Sequence, residues 1–144
     1  MTFNNRVDDV KEFSIQSEAT RNAQIEAIQS YVGELSADGG KAIFSALEEA
    51  YNLAERAYQD DPSRYYSAVL MTDGENNEGA TEGDFLRFYR GLPETMQGVE
   101  TFPILFGEAD QSSLEAVADE TGGRLFDGRG ETLSAVSKQI RSYQ

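Results

Sequence analysis

The sequence predicts an α/β fold, with a doubly wound, mostly parallel sheet that carries helices on both faces. Short apolar runs typical of buried strands alternate along the chain with segments in which apolar residues recur at helical spacing. Strictly alternating strands and helices favour right-handed crossovers, and therefore a parallel sheet layered between helices. The length of 144 residues fits one hydrophobic core. We therefore expect a single domain over residues 1–144.

The first third of the chain predicts a hairpin and two helices. Thr2-Phe3 and the run from Val10 to Phe13 flank the turn signal Asn4-Asn5-Arg6. The first helix is predicted from apolar residues at helical spacing, namely Ile25, Ile28, Val32 and Leu35. The second helix has the apolar stripe Ile43, Leu47, Ala50, Ala54 and Ala57. Pro62 ends this second helix, because a proline disfavours helix in the residue before it.

The rest of the chain continues the alternation. Tyr66 to Thr72 is a near-continuous apolar run, which predicts a strand covered on both faces. A polar loop from Asp73 to about Gly83 follows it. A helix marked by Phe85, Phe88, Tyr89 and Leu92 comes next, and a strand over Thr101 to Phe106 follows it. The following helix is marked by Leu114, Val117 and Ala118 and is closed by Gly122-Gly123. A short strand over Arg124 to Phe126 leads to a last helix marked by Leu133, Val136 and Ile140.

The composition excludes several classes of function. A net charge of −14 disfavours nucleic acid and anionic membrane surfaces as partners, because both are bound through Lys and Arg. The chain has no Cys and no His, which excludes thiolate metal sites and a Ser-His-Asp triad. Any metal would be a hard cation held by oxygens. The apolar runs are too short to insert into a bilayer.

The loop after Tyr66 to Thr72 is the candidate site. Ligands in such folds bind beyond the carboxyl ends of the strands, and Thr72-Asp73-Gly74-Glu75 opens a loop rich in oxygen ligands. Composition alone favours a solvated acidic loop, in which Glu75, Asn76, Asn77 and Glu78 face water. A hydrolase using Asp73 and Glu75 is the weakest alternative, and we expect no enzyme.

Four segments carry a resemblance to a known family. Val69 to Glu75, with Thr72-Asp73-Gly74, resembles the strand-to-loop segment of von Willebrand factor type A domains. Asp38 to Leu47, with Gly39-Gly40, resembles the loop and helix that carry the family's Gly-Gly-Thr. Pro103 to Gly107 resembles the next core strand, and Ala116 to Phe126 resembles the closing helix, turn and strand. The pieces occur in the family's order over nearly the whole chain, and the nearest members are bacterial.

The resemblance implies a degenerate metal-ion-dependent adhesion site. The family builds this site from an Asp-x-Ser-x-Ser loop, a Thr after Gly-Gly, and the Asp of Thr-Asp-Gly. Here Asp73 is present, but Lys41 stands in place of the Thr and cannot ligate a metal in its charged form. No Asp-x-Ser-x-Ser occurs, so the family's first central strand and first helix are expected to be missing. We expect Gly39, Gly40, Lys41, Thr72, Asp73, Gly74 and Glu75 to form a binding rim, with Asp73 a metal ligand only if other residues complete the site.

These expectations define the function predicted from sequence. It is a protein-binding, adhesion-type module for a protein or peptide partner that can bear a carboxylate, within a larger bacterial protein that is extracytoplasmic or membrane-anchored. No cofactor is expected in this chain. The alternative is a binding domain that depends on Mg²⁺ or another divalent cation, with its remaining ligands upstream of this chain. A gap left by the missing strand is expected to close in one of two ways. Either the hairpin pairs directly with the strand at Tyr66 to Thr72, or a second copy pairs there, and we favour the second copy.

The last expectation from sequence concerns Lys41 and Asp73. Their two loops converge in the fold that the resemblance implies, and an unpaired carboxylate in a crowded rim is costly. We therefore expect the Lys41 ammonium to point at Asp73 and to replace the cation electrostatically.

Overall fold

The computed structural model describes residues 1–14, 17–34, 40–130, 135–136 and 138–140. Strands β1 (Thr2–Phe3) and β2 (Val7–Asp9) form an antiparallel hairpin, and β3 (Ser67–Thr72), β4 (Glu100–Leu105) and β5 (Phe126–Asp127) form a separate parallel sheet in the order β3-β4-β5. The helices are α1 (Glu18–Gly33), α2 (Ile43–Asp60), α3 (Glu82–Arg90), α4 (Glu94–Gln97) and α5 (Gln111–Thr121). The predicted α/β class with a parallel sheet is confirmed.

The core lies on both faces of β4, the central strand of the parallel sheet. One face packs into a large cluster with α2, α3 and α5, in which Tyr51, Phe85 and Val117 are fully buried. On the opposite face, Phe102 and Ile104 pack with three further apolar residues, Phe126, Val136 and Ile140. Val136 and Ile140 belong to helical residues 135–136 and 138–140, so the last predicted helix is present where the structure describes it, while Leu133 lies outside the described residues.

The prediction that β3 is covered on both faces is wrong. Leu70 and Thr72 are buried, but Val69 is 50% and Met71 is 46% exposed. Among the described strands β3 lies at the edge of the sheet, and the cluster that covers this face of β4 and β5 includes no β3 residue. An apolar run shows that the side chains of a strand can be buried, but the elements that lie beside the strand determine whether they are buried.

The amino-terminal elements differ in detail from the prediction. The hairpin exists, but its second strand is β2, nearer the turn than the predicted run from Val10 to Phe13. Among the described residues the hairpin pairs only with itself, so direct pairing with β3, the less favoured of the two alternatives, is wrong. Pairing of β3 with a second copy stays a prediction.

Helix α1 forms, and Tyr31 makes its described long-range side-chain contacts. The Tyr31 hydroxyl lies 3.3 Å from Thr2 Oγ1, and the Tyr31 ring lies 5.9 Å from that of Phe13. Of the predicted apolar stripe, Ile25 is 37% exposed and Ile28 is half-buried, while the Val32 side chain and Leu35 lie outside the described residues. The described contacts therefore attach α1 to β1 and to the segment that follows β2. No described helix is long and apolar enough to cross a bilayer.

The closing turn follows the predicted Gly122-Gly123 signal. Gly122 has a φ of +73° and ends α5, which is the left-handed conformation expected of a glycine cap. The strand that follows is β5, two residues long, and it begins at Phe126 rather than at the predicted Arg124. The short β5 still pairs with β4 through Phe126 opposite Ile104.

Candidate functional site

Two loops and the start of a helix meet at the carboxyl edge of the parallel sheet. We define the carboxyl-edge rim as residues 40–43, 72–80 and 106–108. The Phe106 backbone N–H donates to the Thr72 carbonyl at 2.9 Å, and the Glu108 N–H donates to the Asp73 carbonyl at 3.3 Å. Thr72 itself is buried, and its hydroxyl bonds to the Gly74 carbonyl at 3.2 Å. The strand end and the turn after it are therefore held in one conformation.

Lys41 and Asp73 form the expected ion pair. The Lys41 Nζ lies 3.1 Å from Asp73 Oδ1, and the two side chains are 39% and 72% exposed. The expected contact is confirmed, while replacement of a cation by the ammonium stays a prediction. An exposed pair of this kind contributes about 0–1 kcal/mol to stability. The pair therefore defines the charge pattern of the rim far more than it stabilises the fold.

Gly74 is the residue over which the lysine side chain passes. A Cβ built on Gly74 would lie 2.2 Å from Lys41 Nζ and 3.0 Å from its Cδ and Cε. Only a glycine leaves room for the Lys41 side chain to pass here. Gly74 therefore has a steric role in the site, in addition to being part of the Thr-Asp-Gly pattern. The atom in the way is the end of a flexible side chain, so a substitution would displace the lysine rather than the backbone.

We predict that Gly74→Ala breaks the ion pair with little loss of stability. The new methyl group occupies the position of Lys41 Nζ, so the ion pair with Asp73 cannot form. Because that ion pair is exposed, the free energy of unfolding should fall by less than about 1 kcal/mol. Chemical denaturation measures the stability, and the ¹⁵N signal of the Lys41 ammonium at low temperature reports the pair. Gly83→Ala, where the nearest atom lies 3.9 Å from the new Cβ, is the matched control that should keep the ammonium signal.

Asn76 fastens the loop to α2, a role that the sequence did not reveal. Its Oδ1 accepts the backbone N–H of Ile43 at 2.8 Å and that of Phe44 at 3.4 Å, and its Nδ2 donates to the Ala80 carbonyl at 3.0 Å. The expectation that Asn76 is solvated is therefore wrong. The signal available in the sequence was Ala42, which precedes α2 and has no side chain that can cap it. A helix start without its own cap needs an acceptor from elsewhere for its free backbone N–H groups.

Asn77 makes a second connection between the same two segments. Its Oδ1 accepts the Lys41 N–H at 2.6 Å, and its own N–H donates to the Lys41 carbonyl at 3.1 Å. Gly40 lies so close to this loop that a Cβ there would sit 2.5 Å from Glu78 Cγ. Gly40 therefore leaves room for the Glu78 side chain, while Gly39 lies outside the described residues. Lys41 is thus held at its backbone as well as at its ammonium.

A cavity of about 230 Å³ opens beside the rim. Ile43, Phe44 and Leu114 give it an apolar floor, and Glu75 and Glu82 lie among its polar walls. Asp110 also lines the cavity, but it caps α5. Its carboxylate accepts the Ser112 and Ser113 hydroxyls at 2.7 and 2.8 Å, and these bonds lower the pKa of Asp110. The cavity therefore combines apolar and acidic side chains, and Gly74 of the rim is part of its lining.

The residues described at the rim do not fit a divalent cation. Among described residues, no group of three or more acidic side chains could hold a metal ion. At the rim, Asp73 carries the carboxylate in the expected metal-ligand position, and the ammonium that faces it at 3.1 Å would repel a cation. Thr72 to Glu75 are consecutive in the chain, and the Lys41 side chain reaches this segment at Asp73 and Gly74. That these residues form a binding rim stays a prediction.

Comparison with known proteins identifies the family. The family model for the von Willebrand factor type A domain matches residues 1–139. The chain belongs to this family. This von Willebrand factor type A domain is also similar to inter-alpha-trypsin inhibitor heavy chain H4 of Sus scrofa, with 30% identity over 117 residues. That match covers 76% of the chain but only 12% of the relative, so the domain corresponds to a small part of that protein. Von Willebrand factor type A domains are generally interaction modules that bind proteins.

Proposed function

We propose that this domain is an adhesion-type protein-binding module that recognises its partner without a metal ion, with Lys41 as the fixed positive charge of the rim. The observation that carries the proposal is the 3.1 Å distance from Lys41 Nζ to Asp73 Oδ1. An ammonium has three N–H donors, and Asp73 engages one side of it. The 39% exposure of the lysine side chain leaves the remaining donors accessible to a carboxylate of a protein or peptide partner.

The surroundings of Lys41 support a role in binding rather than in catalysis. General acid-base chemistry relies on carboxyl groups whose pKa is tuned by burial or by like charges. Asp73 is 72% exposed and paired with an ammonium, and Glu75 is also exposed. The contacts of the rim, by contrast, fix Lys41 and its loop in place. This favours recognition, because the entropy cost of ordering the loop on binding is then small.

The proposal extends to the setting of the domain. We propose that it is part of a larger protein, because a similar domain forms only 12% of its mammalian relative. The bacterial origin and the extracytoplasmic or membrane-anchored location are proposed from the resemblance in the sequence alone. The competing proposal is binding that depends on Mg²⁺ or another divalent cation, with ligands supplied from residues upstream of this chain. Cation titration separates the two.

We predict that the domain has no saturable site for Mg²⁺ or Mn²⁺ tighter than about 1 mM, which corresponds to a binding free energy of about −4 kcal/mol. The reason is the ammonium at the expected metal position. Isothermal titration calorimetry of each cation tests this directly. Micromolar affinity that disappears in Asp73→Ala would support the cation-dependent alternative instead.

The partner chemistry is tested by selecting random displayed peptides against the domain in the presence of EDTA. We expect the enriched peptides to share an Asp or Glu whose replacement by Asn or Gln weakens binding at least about tenfold, or 1.4 kcal/mol. Lys41→Met should lose the same interaction. Lys11→Met is the matched control, because the Lys11 Nζ lies over the Tyr31 ring of α1, 5.1 Å from its centroid. Peptides that bind only when Mg²⁺ is added would contradict the proposal.

A further inference from the structure

The cavity beside the rim is the part of this surface that the proposed role of Lys41 leaves unused. Its walls come from the start of α2, the loop that follows β3, the first turn of α3 and the start of α5. Ile43, Phe44 and Leu114 form its floor, and each is at most 4% exposed. Pockets for drug-sized molecules measure about 300–1,000 Å³. At about 230 Å³, this cavity has the size for one side chain of a partner.

The polar lining of the cavity is acidic. Glu75, Glu82 and Asp110 contribute three carboxylates, and among the described residues no basic side chain lines the cavity. The Asp110 carboxylate is already engaged by the Ser112 and Ser113 hydroxyls at the start of α5. The carboxylates of Glu75 and Glu82, by contrast, make no hydrogen bond or ion pair within the described part of the chain. Two carboxylates without a partner therefore lie beside an apolar floor.

This lining determines which side chain fits the cavity. An occupant needs an apolar stem for the floor and a positive end for the unpaired carboxylates. Arginine has both, because its methylene stem packs on apolar surface while its guanidinium presents five N–H donors in a planar fork that matches carboxylates. Lysine carries a compact ammonium that is more strongly hydrated, so it loses more on leaving water. Arginine is therefore the side chain that the cavity favours.

We propose that an arginine of the partner places its side chain in this cavity. The assignment depends on the proposed function, in which Lys41 binds a carboxylate of the same partner. Gly74 joins the two positions, because it lines the cavity and a Cβ built on it would lie 2.2 Å from Lys41 Nζ. The arginine and the acidic residue of the partner therefore lie close together.

The charge of the whole domain favours a partner segment that carries both signs. A chain with a net charge of −14 repels a segment that carries only carboxylates. An arginine beside the carboxylate offsets this repulsion and pairs with the free carboxylates of the cavity. Lys41 and the cavity then recognise one acidic and one basic residue in adjoining positions, which is more specific than the recognition of a single charge.

The peptides selected against the domain in EDTA test this proposal, with isothermal titration calorimetry at one fixed salt concentration as the measurement. We expect them to contain an arginine close to the shared Asp or Glu, and replacement of that arginine by Gln should weaken binding at least tenfold. Glu75→Gln and Glu82→Gln in one double variant should weaken binding of the arginine peptide by a similar factor. The double variant should bind the Gln peptide as well as the parent domain does, because the lost groups interact with each other.

Glu94→Gln is the matched control for these two variants. Glu94 is exposed and lies in the first turn of α4, as Glu82 lies in the first turn of α3, but α4 precedes the amino end of β4. The control removes the same charge and should leave binding of the arginine peptide unchanged. Glu75 is exposed and Glu82 is half-buried, so all the variants should keep the circular dichroism spectrum of the parent.

Three results would overturn the assignment of arginine to the cavity. They are a selection that enriches no arginine, peptides in which lysine serves equally well, and an equal loss of binding in Glu94→Gln, which would indicate a general attraction to the net charge. In each case the proposed function still stands if binding depends on Lys41 and on the Asp or Glu. Peptides whose arginine is coupled to Glu75 and Glu82, but which bind Lys41→Met unchanged, would support the cavity and contradict the proposed function.

Discussion

Gly123→Ala is expected to destabilise the domain by about 3 kcal/mol or more, at the upper end of the usual cost of overpacking. A Cβ at this position would lie 1.9 Å from the carbonyl oxygen of Thr101 and 2.7 Å from its carbonyl carbon. Thr101 is fully buried in β4, and β4 pairs with a strand on each side. The obstructing atoms are backbone in the centre of the sheet, so they cannot move aside.

Urea denaturation followed by circular dichroism measures the effect of Gly123→Ala. The neighbouring Gly122→Ala is the control, because Gly122 has a φ of +73° but no atom within 4 Å of the new Cβ. Its cost is the left-handed backbone alone, about 1–2 kcal/mol. Equal losses in the two variants would show that backbone conformation, rather than close approach to β4, explains the Gly122-Gly123 pair.

Phe85→Ala is expected to cost about 3–5 kcal/mol, the usual range for removing a buried aromatic ring. Phe85 is 0% exposed, and its ring centroid lies 5.8 Å from that of Tyr51 and 6.4 Å from that of Phe44. These contacts hold α3 against α2. Because the loop of residues 73–80 joins β3 to α3 and is bonded to the start of α2, loss of this packing should also loosen the rim.

Thermal and urea unfolding give the stability of the Phe85 variant, and amide exchange at residues 76–80 reports the rim. Phe88→Ala on the same helix is the control, because Phe88 is only partly buried and packs at the margin of the cluster. It should lose less stability and leave amide exchange in the rim unchanged. If the two variants lost the same stability, α3 would be held by its general apolar face rather than by the Phe85 ring.

Much of the fold could be predicted from the sequence because its signals are local. The α2 stripe, the capping glycine Gly122 and the apolar runs of β3 and β4 each follow from residues close together in the chain. Burial could not be predicted in the same way. The half exposure of Val69 and Met71 depends on which elements lie beside β3, and a strand sequence is the same at the centre of a sheet and at its edge.

The site shows the same division between local and distant causes. The pairing of Lys41 with Asp73 was predictable, because family resemblance places their loops together and opposite charges then meet. The role of Asn76 was not, because its partners, Ile43 and Phe44, lie more than 30 positions away in the chain. A polar residue in a polar loop gives no local sign of whether it bonds to water or to a distant helix.

The hydrogen bonds made by the side-chain amides of Asn76 and Asn77 determine how the rim responds to changes in its surroundings. A site assembled by a bound ion has a loaded and an empty form, and its shape follows the supply of that ion. Here the groups that hold the loop to the start of α2 are asparagine side chains of the protein itself, which accept hydrogen bonds from the Lys41 and Ile43 backbone. Neither amide titrates, and neither can be removed by a chelator. As we propose it, the rim is therefore constitutive: its shape is complete once the chain has folded, and only the availability of the partner regulates binding.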